Sequence, residues 1–285
     1  MPDYWRAMAQ PNAAAQLRAT LVVVHSDLYN DNYVKLPVDD KWEALVGQEN
    51  AYVEAHREAV VAVDKYLAAN VASTMVQFQH RFPDFRCDFT FYIAPTFGSM
   101  DGSAGFVNNR HVIVFAPDVI PRYHRLADLK VLIDHETFHI YHHQATGVFG
   151  AAAVAIPTIL EALWGEGLAT YVSWRMNPAV SLDTALLQPG IPQAAKPHLH
   201  EIAKALLAHL GDRDEPTFLH FFAAGSQPEG LPPRAGYYVG VLIAQAAAKH
   251  RTLAQLAQLN GPELQTLVAA ALSTMASVRN SSLAR

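Results

Sequence analysis

Cysteine is almost absent from this chain of 285 residues, which contains only Cys87. A single thiol excludes an internal disulfide and a cluster of thiolate metal ligands. A large excess of charge of one sign is also lacking, because the net charge is −5. The sequence therefore gives no reason to expect a nucleic-acid partner or binding to an anionic membrane surface.

Long apolar runs and a recognisable export signal are missing as well. The longest uncharged apolar stretch, Val148 to Leu160, is interrupted by Pro157 and is too short to span a bilayer. The first residues lack the basic and apolar segments of a signal peptide. We therefore expect no transmembrane segment, and either a cytoplasmic location or export followed by removal of a signal. The sequence leaves the compartment and the oligomeric state open.

The composition is that of a globular protein that can bury a large hydrophobic core, since 51 % of the residues are hydrophobic and 16 % are charged. Apolar residues recur at helical spacing from Lys41 to about Arg81 and again from Leu126 to Thr146. Alternating aromatic segments at 87–94 and 106–115 predict two strands, joined by a glycine-rich turn over 97–105. These patterns favour a mainly α fold with a small β-sheet, an α+β class.

The organisation along the chain follows from the same patterns. We predict an N-terminal helical region over 1–84 and a second region over 85–285, forming one compact unit. The second region comprises the small sheet at 85–117, two helices within 126–176 and a C-terminal helical part over 190–285.

The motif H-E-x-x-H occupies residues 135–139, within the predicted helix. Residues four apart lie on one face of a helix, so His135 and His139 point the same way and can bind one metal ion. Zinc suits two imidazoles with an open coordination position, and Glu136 is placed to take a proton from a bound water. The segment has no Pro or Gly before Gly147, where a C-cap glycine would end the helix.

A third ligand is expected on the next helix, predicted over about 158–175. Two histidines with one carboxylate and water form a known catalytic zinc set. Glu161 and Glu166 both lie on this helix, about 140° apart around its axis, so only one of them can face the metal. The helical pattern alone does not choose between them.

The segment from Trp164 to Tyr171, W-G-E-G-L-A-T-Y, resembles the E-G-x-A-x-Y segment of gluzincin metallopeptidases. This group includes a bacterial family of predicted zinc-dependent proteases and, more distantly, the zinc aminopeptidases. The resemblance implies a thermolysin-like zincin core, one Zn²⁺ held by His135, His139 and Glu166, and Glu136 as the general base. It also implies a bacterial-type protein. The gap of 27 positions from His139 to Glu166 is longer than in typical zinc aminopeptidases, which indicates an elaborated loop between them.

The start of the helix at Arg234-Ala235-Gly236-Tyr237 resembles the G-Y-x-x-G helix start of the same bacterial family. A phenol there is expected to donate to the oxyanion that develops during hydrolysis. Tyr237 is the position that matches. Tyr238 and Arg234 are the alternatives, and Arg234 is also a candidate for binding a substrate carboxylate.

The glycine-rich turn leaves two interpretations open. In gluzincins an edge strand beside the metal binds the substrate backbone, and residues from Gly105 to Arg110 are the corresponding segment, or else an ordinary hairpin. Asp101 lies in a segment with a faint likeness to the G-x-M-E-N loop of zinc aminopeptidases. We interpret it as a solvated turn residue and do not predict an aminopeptidase.

The function that the sequence predicts is hydrolysis of peptide bonds by a zinc-dependent metallopeptidase, with a peptide or protein as substrate. Two alternatives remain. One is a zinc-binding protein without turnover that serves recognition or structure, and the other is a zinc hydrolase of non-peptide amides or esters.

Overall fold

The computed structural model describes residues 1–30, 33–108, 110–148, 155–224 and 230–277. These residues are mainly helical and include one three-stranded sheet. The predicted α+β class with a small sheet is thereby confirmed. The chain divides into two compact units, and the boundary falls between Ile140 and Tyr141, inside a helix. The division into regions at residue 84 stays a prediction.

The first unit contains the N-terminal helices, the sheet and most of one long helix. Its elements are α1 (Pro2–Met8), α2 (Ala13–Leu17), α3 (Asp39–Ala55), α4 (Arg57–Arg81), β1 (Thr90–Ile93), β2 (Gly102–Val107), β3 (Arg110–Phe115) and the greater part of α5 (Leu129–Thr146). The helical stretch predicted over 41–81 is divided at His56, whose backbone leaves the helical region (φ −120°, ψ 23°).

The core of this unit joins the N-terminal helices to the sheet. Tyr4 of α1, Trp42 of α3 and Val114 of β3 belong to one cluster of buried side chains. The ring centroids of Trp42 and Phe97 lie 5.0 Å apart in an edge-to-face arrangement, which aromatic pairs prefer. The N-terminal residues are therefore an integral part of the core that supports the strands.

The sheet has the order β1-β3-β2, with β1 parallel and β2 antiparallel to the central strand β3. The predicted arrangement of two strands was wrong. The segment at 106–115 turns back at Asn108, which adopts a left-handed conformation with φ 48°. The last part of the predicted glycine-rich turn, from Gly102 to Gly105, belongs to strand β2. Two glycines occur in this strand because neighbouring side chains approach its backbone closely, as described below.

Strand β2 lies at an edge of the sheet, and its hydrogen-bonding directions can be assigned. The Ala116 N–H donates to the Asp101 carbonyl, so Asp101 faces β3. Hydrogen-bonding direction alternates along an antiparallel strand, and Ala104 is therefore directed away from β3. Its N–H is available to another part of the chain.

The second unit consists of the end of α5 and eight further helices among its described residues. These are α6 (Ile159–Met176), α7 (Leu182–Ala185), α8 (Ile191–Ala195), α9 (Leu199–His209), α10 (Glu215–Phe222), α11 (Ala235–Ala247), α12 (Leu253–Ala257) and α13 (Gly261–Ser277). The helix predicted over about 158–175 and the helical C-terminal part are confirmed.

Helices α6 and α11 make an unusually close contact. A methyl group added at Gly167 would lie 2.3 Å from the Gly240 carbonyl carbon, and one at Gly240 would lie 2.3 Å from the Leu163 carbonyl oxygen. Only glycine permits this approach of two helix backbones. The pair of glycines fixes where α6 lies in its unit.

Helix α4 meets the length and composition expected of a membrane-crossing helix, with a mean hydropathy of 1.2 over its most apolar window. It is the one helix among the described residues that does so. Core helices of globular proteins pass the same test, and 28 % of this window of α4 is buried; Val60, Val63 and Leu67 are among the buried residues of the helix. The expectation of no transmembrane segment stays a prediction.

Candidate metal centre

Helix α5 places the two histidines of the H-E-x-x-H motif one turn apart. Their Nε2 atoms lie 3.1 Å from each other, and His135 is only 2 % exposed. The helix ends at Thr146 and is followed by Gly147 with φ +71°, as the sequence predicted. The motif therefore lies on a helix with both imidazoles directed to one point.

Glu166, on helix α6, supplies the carboxylate of the group. One ligand atom from each of His135, His139 and Glu166 lies within 4.8 Å of the other two. No other set of three His, Cys, Asp or Glu residues in the described part of the chain meets this criterion. The three residues form a group that could hold a metal ion.

Glu161 has a different role, which settles the choice that the helical pattern left open. Its carboxylate accepts a hydrogen bond from the Thr158 N–H at 2.7 Å, and the Thr158 hydroxyl accepts one from the Glu161 N–H at 3.2 Å. This reciprocal pair is a capping box. The Glu161 carboxylate also accepts a hydrogen bond from Arg213 at 2.9 Å. Glu161 therefore caps the N-terminus of α6.

Glu136 is nearly buried, with 7 % of its surface exposed, and it contacts strand β2. Its Oε2 accepts a hydrogen bond from the Ala104 N–H at 2.8 Å, the amide that is directed away from β3. A methyl group added at Gly102 would lie 3.4 Å from Glu136 Cγ. A charge-assisted hydrogen bond and close packing thus orient the predicted general base against the edge strand.

Asp101 is not a solvated turn residue, and that interpretation was wrong. Its Oδ2 lies 2.6 Å from His124 Nε2, and its Oδ1 accepts a hydrogen bond from the Gly102 N–H at 2.8 Å. Burial by itself raises the pKa of Asp101, but the hydrogen bond and charge of His124 bring it below its ordinary value. The pair fixes the first residue of β2. A separation of 23 positions gave no sequence signal for it.

Tyr237 lies in the first turn of α11 and is half-buried, whereas Tyr238 is 7 % exposed and packs in the core. The guanidinium of Arg234 lies over the Tyr237 ring, 4.0 Å from its centroid. Arg234 adopts a left-handed backbone conformation with φ 53°, which is uncommon for a residue with a side chain. Arg234 and Tyr237, both candidates for the oxyanion, are therefore neighbours, whereas Tyr238 packs in the core.

Comparison of the chain with protein-family models, with curated proteins and with solved structures found no match. The functional assignment therefore depends on the residues and their geometry.

Proposed function

We propose that this protein is a zinc-dependent metallopeptidase of the gluzincin type, with a thermolysin-like core. The observation that carries the proposal is the convergence of His135, His139 and Glu166. Two histidines and one carboxylate, with a position left for water, are the ligand set of catalytic zinc sites, whereas structural zinc sites use four protein ligands.

The donor atoms fit zinc in type and spacing. Zinc binds imidazole nitrogen and carboxylate oxygen at about 2.0–2.2 Å, so two ligands of a tetrahedral ion lie about 3.3 Å apart. The Nε2 atoms of His135 and His139 are separated by 3.1 Å. When bound, zinc would lower the pKa of a coordinated water to about 7 and polarise a substrate carbonyl.

The side chains around the ligands supply the remaining steps. Glu136 is adjacent to His135 in sequence, and its carboxylate would take a proton from the attacking water and pass it to the leaving nitrogen. The Ala104 N–H, 2.8 Å away, keeps this carboxylate oriented. Tyr237 would donate to the oxygen of the scissile carbonyl as negative charge develops there, and the cation of Arg234 would support it.

The intact Glu136 favours an enzyme over the first alternative, a zinc protein without turnover. A purely structural site has no use for a nearly buried carboxylate held beside the ligands. The second alternative, hydrolysis of non-peptide amides or esters, uses the same chemistry at the carbonyl. The edge position of strand β2 favours an extended peptide, because an edge strand can pair with a substrate backbone.

The test measures bound zinc and hydrolysis on the same samples. We expect one zinc per chain, and cleavage of a mixed peptide library in preference to small amides and esters. Glu166→Gln should lose both zinc and turnover. Glu136→Gln should keep zinc and lose turnover by about 10²–10⁴-fold, because general-base catalysis contributes that much.

Glu161→Gln is the matched control, since it changes a carboxylate on the same helix five residues away. It should keep zinc and turnover. Loss of zinc in Glu161→Gln but not in Glu166→Gln would contradict the ligand assignment, and full turnover of Glu136→Gln would contradict the mechanism. Faster cleavage of small esters than of any peptide would favour the second alternative.

A further inference from the structure

Tyr33, in the segment between α2 and α3, lies against strand β2. Its hydroxyl donates a hydrogen bond to the Ser103 carbonyl at 2.9 Å. Its ring covers Gly105 so closely that a methyl group there would lie 2.2 Å from Tyr33 Cε2. A residue with any side chain at position 105 would displace the ring.

Helix α5 occupies the opposite face of the same strand. A methyl group added at Gly102 would meet Leu132 Cδ1 at 3.3 Å and Glu136 Cγ at 3.4 Å. Side chains alternate between the two faces of a strand, so positions 102 and 105 point to opposite sides. Strand β2 is therefore held between the Tyr33 ring on one face and α5 on the other.

The segment that carries Tyr33 is itself well anchored. The Val34 N–H donates to the Leu28 carbonyl at 3.1 Å, and both of these side chains are fully buried. Burial raises the pKa of the Tyr33 phenol well above its ordinary value; the hydrogen bond with Ser103 opposes this in part, and the charge of Glu136 adds to it. The hydroxyl thus stays protonated and remains a donor at any physiological pH.

We propose that Tyr33 is a positioning residue for the general base: it holds strand β2 so that the Ala104 N–H stays on the Glu136 carboxylate. The inference rests on the proposed function for the role of Glu136. The contact between Tyr33 and the strand can be tested without it. The segment between α2 and α3 then contributes to catalysis by positioning the general base.

The first measurement is amide hydrogen exchange in the full-length chain, which does not depend on turnover. Tyr33→Phe removes the hydroxyl and keeps the ring, whereas Tyr33→Ala removes both. We expect exchange at Ala104 and its neighbours in β2 to accelerate about tenfold in Tyr33→Phe and further in Tyr33→Ala. Exchange in helix α6 should not change.

Tyr29→Phe is the matched control. Tyr29 belongs to the same segment, and its hydroxyl also donates to a backbone carbonyl, that of Pro95 at 2.8 Å, which lies outside β2. This variant should leave exchange in β2 at the wild-type rate. Equal acceleration of β2 exchange in Tyr29→Phe and Tyr33→Phe would show a general structural role and overturn the proposal.

The second measurement is steady-state hydrolysis of one peptide cleaved from the library, on samples with equal zinc content. Small displacements of a catalytic group cost up to about 100-fold in rate, so we expect kcat to fall about tenfold in Tyr33→Phe and about 100-fold in Tyr33→Ala. KM should change less than kcat, and Tyr29→Phe should match the wild type.

The outcomes separate the two proposals. A wild-type chain that binds zinc but cleaves no peptide contradicts the proposed function, and the exchange rates alone then decide whether Tyr33 holds the strand. A fall in kcat that is equal in Tyr33→Phe and Tyr29→Phe, or a change confined to KM, would overturn the positioning role. Unchanged β2 exchange in Tyr33→Ala would overturn the contact itself.

Discussion

Strand β2 and helix α6 each present a group of the candidate site, but their neighbours hold them differently. Besides its backbone pairing with β3, β2 is contacted by side chains, since Glu136 binds its Ala104 amide and Tyr33 covers its Gly105. Helix α6 packs backbone against backbone, through Gly167 and the α11 helix. Side chains can rotate, whereas packed backbones cannot. We therefore expect the strand to respond to small displacements of those side chains, and the helix to respond chiefly to added volume.

The largest effect is expected at the helix. Gly167→Ala adds a methyl group 2.3 Å from the Gly240 carbonyl carbon, a backbone atom that cannot move aside. Overpacking of this kind typically costs 1–3 kcal/mol, and we expect about 3 kcal/mol of unfolding free energy, measured by urea denaturation.

Gly165→Ala is the control for that substitution, on the same helix but with no atom within 4 Å of the added methyl. It should stabilise the protein by up to about 1 kcal/mol, because alanine favours a helix over glycine. If both variants changed stability in the same direction, the close backbone contact at Gly167 would not explain the loss.

A pH effect of about 2–3 kcal/mol is expected in the first unit, at Asp118, which binds the segment before β2. Burial raises the pKa of this carboxyl from 3.8 to about 7, although it accepts hydrogen bonds from the Thr96 and Phe97 amides. Between these two pH values the folded protein holds a proton that the unfolded chain releases. This contribution to stability is complete below about pH 4 and is lost as the pH rises through 7.

Urea unfolding at pH 5 and at pH 8 measures this effect. The wild type should be less stable at pH 8 by the stated amount once other groups are subtracted, and Asp118→Asn should remove that difference. An equal pH dependence in the wild type and the variant would show that Asp118 is ionised throughout.

A smaller effect is expected at the start of α6. Thr158→Ala removes the hydroxyl of the capping box, and the loss of such a cap costs about 1 kcal/mol. Zinc binding should be retained, since Glu166 lies two turns further along the helix. Urea unfolding and zinc content measure both results; loss of zinc would show that the cap also holds the ligand.

The smallest change in stability is expected for Gly102→Ala. The added methyl meets only side chains, at 3.3–3.4 Å, and these can shift by a few tenths of an ångström. We expect a loss of about 1 kcal/mol or less. Turnover should nevertheless fall about tenfold, because one of the displaced side chains is Glu136. Unfolding and peptide hydrolysis should be measured on the same samples. Gly102→Ala should lose turnover with little loss of stability, whereas Gly165→Ala should show no such loss of turnover.

The helices of the site could be predicted from the sequence because their signals are local. Apolar spacing defined α5, Gly147 marked its end, and a pattern over about 158–175 defined α6. The spacing of His135 and His139 needs only helical geometry. The role of Glu161 as a cap also has a local sequence signal, which is the threonine three residues before it.

The strand was not predicted because its cause is not local. A stretch that contains Gly98, Gly102 and Gly105 has the composition of a turn, and only the neighbours of the last two explain them as strand residues. Tyr33 is 70 positions from Ser103, its hydrogen-bond acceptor, so no sequence pattern joins them. Non-local side-chain contacts of this kind become visible only in three dimensions.

The capping box of α6 has a consequence for how this chain can vary. Thr158 and Glu161 fix the first residue of the helix, and one residue gained or lost between this cap and Glu166 would rotate Glu166 by about 100° relative to the cap. The helix begins at the same threonine whatever the number of residues before it. Insertions or deletions upstream of that threonine should therefore leave the direction of the Glu166 carboxylate unchanged, whereas a single residue gained or lost after it should not.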